Sequence, residues 1–389
     1  MSTCTPRMMI AHLCWSTTLS VVGPVTVYTH GENGYPCIRI PSTLRLPNNT
    51  LLSFAAARAW TGDSCFPTSV SPDAKNFSSH VVKRSLDGGA TWGSMAVLSH
   101  PVHGGVSPEG ASLHHSESGT VIAIWQSDRV SNATTKLRLW TAKSADAGVS
   151  WSAPAPLRIP QLMAANVTEN THISPASGIE LRSGVHQGRL LVVLILTSGN
   201  VLDVVLYSDN IGETWSMSRT QLPHNGEAQV AEVKAALSSS SSLHFNGRSK
   251  LGKKPNKPYL RGVARSLDDG VSWLDVGFQH GEDSGISCQG SFITNPMNDS
   301  SLLFSHPNGS THGSRSGGVL LRSDDAQRSW YRVAHATPEE KDAMFAYSAL
   351  SAGASGSGKI GLTYETGNVN CTAEASACRI VYREIEVGP

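Results

Sequence analysis

An excess of charge of either sign is missing from this chain: 31 Lys and Arg stand against 30 Asp and Glu, a formal net charge of +1. A general nucleic-acid binder carries a basic surplus that is absent here, so any recognition of charge has to be local. No stretch approaches the roughly 20 apolar residues that cross a bilayer as a helix, although hydrophobic residues at 39% suffice for a core. Cysteine is scarce. The seven present are an odd number, so at least one thiol is unpaired within the chain, and no CxxC pair or Cys/His cluster has zinc spacing. Cys371 and Cys378 are close enough to bridge a C-terminal hairpin and equally readable as two ordinary thiols. Helical periodicity is also missing, which excludes a two-domain α/β arrangement with its crossover helices.

Turn chemistry is abundant instead. Gly 36 and Pro 20, beside 16% charged residues, suit many short strands joined by turns. One eight-residue pattern recurs five times: SLDGGATW from Ser85, SADAGVSW from Ser144, SDNIGETW from Ser208, SLDDGVSW from Ser266 and SDDAQRSW from Ser323. In each, an Asp or Asn accepts hydrogen bonds from nearby backbone N–H groups, a glycine takes a positive φ, and Ser/Thr then Trp restart the next strand. Asn210 in the third copy and Gln327 in the fifth depart from the pattern, so those two turns are expected to be less regular. Strand-like alternation surrounds the copies, at Thr50 to Ala55, Thr120 to Trp125, Leu190 to Leu196, Val201 to Tyr207 and Lys359 to Tyr364.

One four-stranded sheet with its loops needs about 40 to 65 residues, and the copies recur at close to sixty, so 389 residues hold about six sheets. The expected fold is all-β: one six-bladed β-propeller over residues 25–389, after an N-terminal leader or extension at 1–24. Met8 to Val22 is mildly apolar after Arg7, but His12, Cys14 and several hydroxyl residues make a poor signal sequence. Asn-x-Ser/Thr sequons at Asn48, Asn76, Asn132, Asn166, Asn298, Asn308 and Asn370 exceed chance and suggest a secretory route, lysosomal or extracellular.

The five repeats belong to the scaffold, so the chemistry has to come from residues outside them. Ile38-Arg39-Ile40-Pro41 is similar to the Phe/Tyr-Arg-Ile-Pro signature of the sialidase (neuraminidase) superfamily, which also carries such Asp-box repeats. The chain resembles that superfamily from about Pro36 to Glu384 and looks closest to the animal lysosomal-type sialidases. The resemblance implies a retaining exo-α-sialidase acting on sialylated glycans through a tyrosyl intermediate, with no metal or organic cofactor. A trans-sialidase, a variant preferring deaminated sialic acid, and a non-catalytic carbohydrate-binding propeller are the alternatives.

Sialic acid bears a carboxylate on its anomeric carbon, so binding favours several guanidinium groups, whose planar fork pairs bidentately with it. A carboxylate nucleophile would meet repulsion there, whereas a neutral phenol would not, provided that a neighbouring glutamate draws its proton. By the resemblance, Arg39, Arg248 (in Phe245-Asn246-Gly247-Arg248) and Arg315 form the carboxylate triad. Arg322 is the rival to Arg315, but Arg84, Arg265 and Arg322 each precede a repeat serine and should face the rim. Tyr347, in a Tyr-Ser-x-Leu segment, is the expected nucleophile, and Glu365 the glutamate that holds the first arginine. Glu232, 16 residues before Arg248, matches the activating glutamate by spacing; Glu227 fits less well and reads as a solvated loop acid. Asp63 is the expected acid/base, with Asp73 as its rival on the same long loop. Arg58 is expected to line the O4 side of the sugar pocket, and Glu109 falls where the family often has a substrate-contacting aspartate.

Overall fold

The computed structural model describes residues 23–60, 77–98, 102–103, 108–127, 139–165, 171–196, 201–222, 226–234, 241–249, 260–280, 287–308, 315–337, 344–354, 356–367 and 378–387. They form six antiparallel sheets, each built inside-out along the chain, arranged as the blades of a propeller. The first blade runs Cys37–Arg45, Leu51–Arg58, Phe77–Ser85 and Ala96–Val97. The fourth runs Ala228–Lys234, Ser241–Arg248, Leu260–Ser266 and Leu274–His280, and the fifth Ser291–Thr294, Leu302–Pro307, Gly318–Ser323 and Tyr331–His335. In the sixth, Ser348–Ala352, Lys359–Thr366 and Arg379–Glu386 are completed on the outside by the chain's first described strand, Val25–Thr29. Both ends of the described chain thus share one sheet, and that pairing closes the ring. One short α-helix among the described residues, Pro160–Ala165, follows in sequence the second blade, which runs Gly110–His115, Thr120–Gln126, Leu139–Ser144 and Ala155–Pro156.

Sheet faces pack on one another between blades, so middle strands are buried on both sides and read as continuous apolar runs. Leu190–Leu196 is wholly buried; its Val192 and Leu194 join Ile122 and Ile124 of the second blade, while Leu191 and Val193 join Val230 and Phe245 of the fourth. Innermost strands meet near the axis, where hydroxyls and amides replace apolar groups. Ser42 Oγ lies 2.5 Å from Ser112 Oγ, Thr43 donates to Thr363 at 2.8 Å, and Gln289 Nε2 donates to the Ser348 carbonyl at 3.0 Å. Buried polar atoms need partners, and here they supply one another's.

The five repeats form one turn, built five times. The leading serine hydroxyl donates to the Asp or Asn Oδ1 at 2.8 to 2.9 Å and accepts the backbone N–H four residues on at 2.8 to 3.0 Å. The fourth and fifth positions both take positive φ, as a type I′ hairpin requires. Contrary to expectation, the third and fifth turns keep this pattern. Asn210 Oδ1 accepts from Ser208 and Thr214 as an aspartate would, and Asp325 in the fifth copy holds Ser323 and Ser329 in the same way.

Candidate active site

The signature segment bends the first blade's inner strand. Its register to Leu51–Arg58 shifts between Arg39 and Ser42, and Ile40 sits at φ 64, a left-handed conformation costly for a β-branched side chain. Pro41 has no N–H to offer the ladder, and the Ile40 N–H is taken instead by Glu365 Oε1 at 2.8 Å. The bulge re-aims Arg39. Its Nε and Nη2 then donate to Glu365 Oε1 and Oε2 at 3.0 and 2.9 Å, a bidentate pair buried on both sides. Burial alone would raise the Glu365 pKa, but Arg39 and the Ile40 N–H more than offset it and hold the carboxyl below its usual range.

Tyr347, immediately before the sixth blade's inner strand, lies between charges. Its hydroxyl donates to Glu227 Oε1, and Arg248 Nη1 donates both to that hydroxyl at 3.2 Å and to Glu227 Oε2 at 2.5 Å. The guanidinium carbons of Arg39 and Arg315 lie 5.3 and 5.4 Å from the Tyr347 ring centroid. Arginines from three blades therefore surround one phenol. Burial and then Glu227 push the phenol's pKa up, so it rests neutral. Burial opposes the charge on Arg248, but Glu227 and Tyr347 outweigh it and keep the guanidinium protonated. Arg248 Nε is seated on Ser287 Oγ at 3.2 Å. Arg315 Nη1 is buried with no hydrogen-bond partner among the described residues, a donor that an anion in this cleft could satisfy.

Arg58, buried at the end of the first blade's second strand, donates to Glu109 Oε1 at 3.2 Å and stacks on Trp60 at 4.9 Å. Arg58 is paired across the ladder with Cys37, two residues before Arg39, which sets this pair at the same end of the first blade as Arg39.

The chain is matched over residues 75–361 by the profile of the BNR repeat-like domain. It belongs to that family. Among curated proteins it is 27% identical over 382 residues to a sialidase of Micromonospora viridifaciens, covering 87% of this chain and 51% of that protein. It is also 27% identical over 292 residues to mouse Sialidase-4, covering 66% of this chain and 53% of that protein. The chain thus spans about half the length of these two relatives. Among solved structures, the intramolecular trans-sialidase of Ruminococcus gnavus superposes with a TM-score of 0.67 at 16% identity, covering 93% of this chain and 97% of that one. A Hadza microbial sialidase gives 0.66 at 22%, covering 94% and 68%. At those identities the likeness is one of fold.

On this BNR-repeat propeller, Arg39, Arg248, Arg315, Tyr347 and Glu365 come together, and Arg58 and Glu109 pair beside them. Glu232 does not join them. It accepts the Arg182 N–H at 2.8 Å and the Ser183 hydroxyl at 2.5 Å, away from Tyr347. The carboxylate on the phenol is that of Glu227, and the reason is register. The fourth blade pairs Ala228 with Gly247 and Glu232 with Leu243, so the residue opposite Arg248 is 227. Glu232 stands five residues further along, roughly 17 Å at strand rise. Glu227 holds φ 54, and its carbonyl accepts the Arg248 N–H at 3.1 Å. Only the register of the paired strands singles it out; a count along one chain does not. Asp63 and Asp73 lie outside the described residues, as does Cys371, while Cys378 takes part in a disulfide, and so does Cys37. Arg84, Arg265 and Arg322 bond at turn and outer-strand positions, to the Ala147 carbonyl, Asp275 and Asp324. Sequence reasoning passed over Ser287 and Trp60, neither of which lies in a motif.

Proposed function

We propose that this protein is a retaining exo-α-sialidase that removes terminal sialic acid from glycoconjugates, with Tyr347 as nucleophile. The observation that carries the proposal is the convergence of Arg39, Arg248 and Arg315 on a neutral phenol already hydrogen-bonded to a carboxylate. Three guanidinium groups provide for a substrate that stays anionic throughout. As Tyr347 Oη bonds to the anomeric carbon, its proton passes along the existing hydrogen bond to Glu227. The positive charge that builds on the sugar lies beside the substrate's own carboxylate and a neutral ring rather than a second anion. Glu365 keeps Arg39 extended by accepting from its Nε and Nη2, which lowers the entropy lost when substrate arrives. Protonation of the leaving oxygen, and later activation of water, are assigned to Asp63 on its place in the sequence.

The relatives' names support this class of substrate, and the placing of Glu227 gives the phenol the base it needs. The test is hydrolysis of an aryl α-sialoside followed by NMR of the first-formed product. Release of free α-sialic acid is the expected result. Inverted product, or no turnover of sialosides and their deaminated analogues across acidic and neutral pH, would overturn the proposal. An anhydro product would reassign the second step from water to an internal hydroxyl of the sugar.

A further inference from the structure

Four of the five repeat turns place glycine at the fifth position, where the neighbouring sheet leaves no room for a side chain. A Cβ at Gly148 would lie 2.7 Å from Leu52, at Gly212 2.9 Å from Ile122 and at Gly270 2.5 Å from Leu191, and at Gly89 it would strike the Tyr382 ring. The fifth turn places Gln327 there, buried and at φ 70. A non-glycine residue in that conformation carries strain of order 1 kcal/mol or more. Its side chain enters the fourth blade instead of being excluded. Gln327 Nε2 donates to the Phe245 carbonyl at 3.2 Å, and Gln327 Oε1 accepts from Asn246 Nδ2 at 3.1 Å.

From Asn246 the bonding continues inward. Asn246 Oδ1 accepts from Arg261 Nε at 2.9 Å, and Arg261 Nη1 donates to the Cys288 carbonyl at 2.9 Å. Cys288 follows Ser287, whose hydroxyl seats Arg248 Nε and itself donates to the Ser249 carbonyl at 2.9 Å. Arg261 is directly opposite Arg248 in the ladder. Among its described hydrogen bonds its partners are neutral, and burial pulls its pKa down to about 10. A buried cation facing a second cation is retained at a cost. What it gains is a fixed position for the 287–288 segment.

We infer that Gln327 and Arg261 are positioning residues, a strut from the fifth repeat turn that sets the seat of Arg248 in the cleft. The inference deepens the sialidase proposal and rests on it for the ligand, though not for the geometry. A change at the turn that relieves backbone strain should therefore weaken a site in another blade. Gln327→Gly restores the common repeat residue, relieving the backbone strain while removing both hydrogen bonds, so its melting temperature should stay level or fall modestly. Gln327→Met keeps the bulk and removes both hydrogen bonds. Asn210→Asp, at another repeat turn, is the control.

Two readouts separate the strut from the function. The Arg248 Nε–H cross-peak in a nitrogen–proton NMR spectrum, identified by its loss in Arg248→Lys, should shift or broaden in both Gln327 variants and hold still in Asn210→Asp. Calorimetry with a 2,3-unsaturated sialic acid analogue should show affinity about three- to tenfold weaker in both, the worth of one lost hydrogen bond. KM for the aryl sialoside should rise more than kcat falls. An unmoved cross-peak in both variants overturns the strut, whatever the activity. A moved cross-peak in a protein whose wild type neither binds the analogue nor turns over sialosides upholds the strut and overturns the sialidase proposal. A moved cross-peak with unchanged affinity in an active enzyme overturns the inference that the strut serves binding.

Discussion

Glu227→Gln and Glu232→Gln make a matched pair, because each removes one charge from a carboxylate of the same hairpin, half-buried at 227 and buried at 232. At position 227 the amide oxygen can still accept from Tyr347, but it cannot take the proton that the nucleophile must lose. Its NH2 group would also face Arg248 Nη1, which now sits 2.5 Å from a carboxylate oxygen. General-base assistance contributes about 10²- to 10⁴-fold, so kcat should fall by that factor, about 3 to 5 kcal/mol in the barrier. At position 232 the carboxylate serves the Arg182 N–H and the Ser183 hydroxyl. There the substitution should cost about 1 to 3 kcal/mol of folding stability through one mispaired buried group, with kcat/KM nearly unchanged. Steady-state hydrolysis of an aryl sialoside and thermal melts of both variants decide it. Activity lost in Glu232→Gln and retained in Glu227→Gln would falsify the register argument.

Arg39→Ala or Arg248→Ala should raise KM and lower kcat together, since each removes charge-assisted hydrogen bonds of roughly 2 to 4 kcal/mol; near-normal kinetics in both would refute the triad. A 3-fluoro sialyl fluoride should leave an adduct on the peptide containing Phe345 to Leu350, absent in Tyr347→Phe, and mass spectrometry finding it elsewhere would displace Tyr347 as nucleophile. His30, His80 and His244 are held neutral by burial, with pKa values lowered to about 4. Below about pH 6.5 the unfolded chain gains protons that the folded one refuses, so stability is intact above that pH and lost as it falls toward 4; melts flat over this range would refute the burial account. Asp203 has the opposite sign: burial raises its pKa, and the Gly226 backbone N–H only partly offsets that. The folded state keeps a proton that the unfolded one releases above about pH 4, so Asp203→Asn should raise the melting temperature near neutrality and converge with wild type in acid.

Local chemistry was legible in the residues themselves. The Asp, Gly and Trp of each repeat interact within eight residues, so their spacing implied the turn, and the turn's recurrence near sixty residues implied the number of blades. Arg39, Tyr347 and Glu365 were legible because their neighbours form short motifs. The sequence could not show which glutamate meets the phenol, because that depends on strand register, and a count of 16 along the chain puts Glu232 five residues past the position opposite Arg248. Nor could it show what Gln327 does. Read along the chain it is a missing glycine; in the propeller it lies against the neighbouring blade, where its amide has a carbonyl and an asparagine to bond. Turns are decided by neighbours in sequence, whereas the cleft is decided by which residues of different blades the closed ring sets face to face, and only the tertiary structure holds that information.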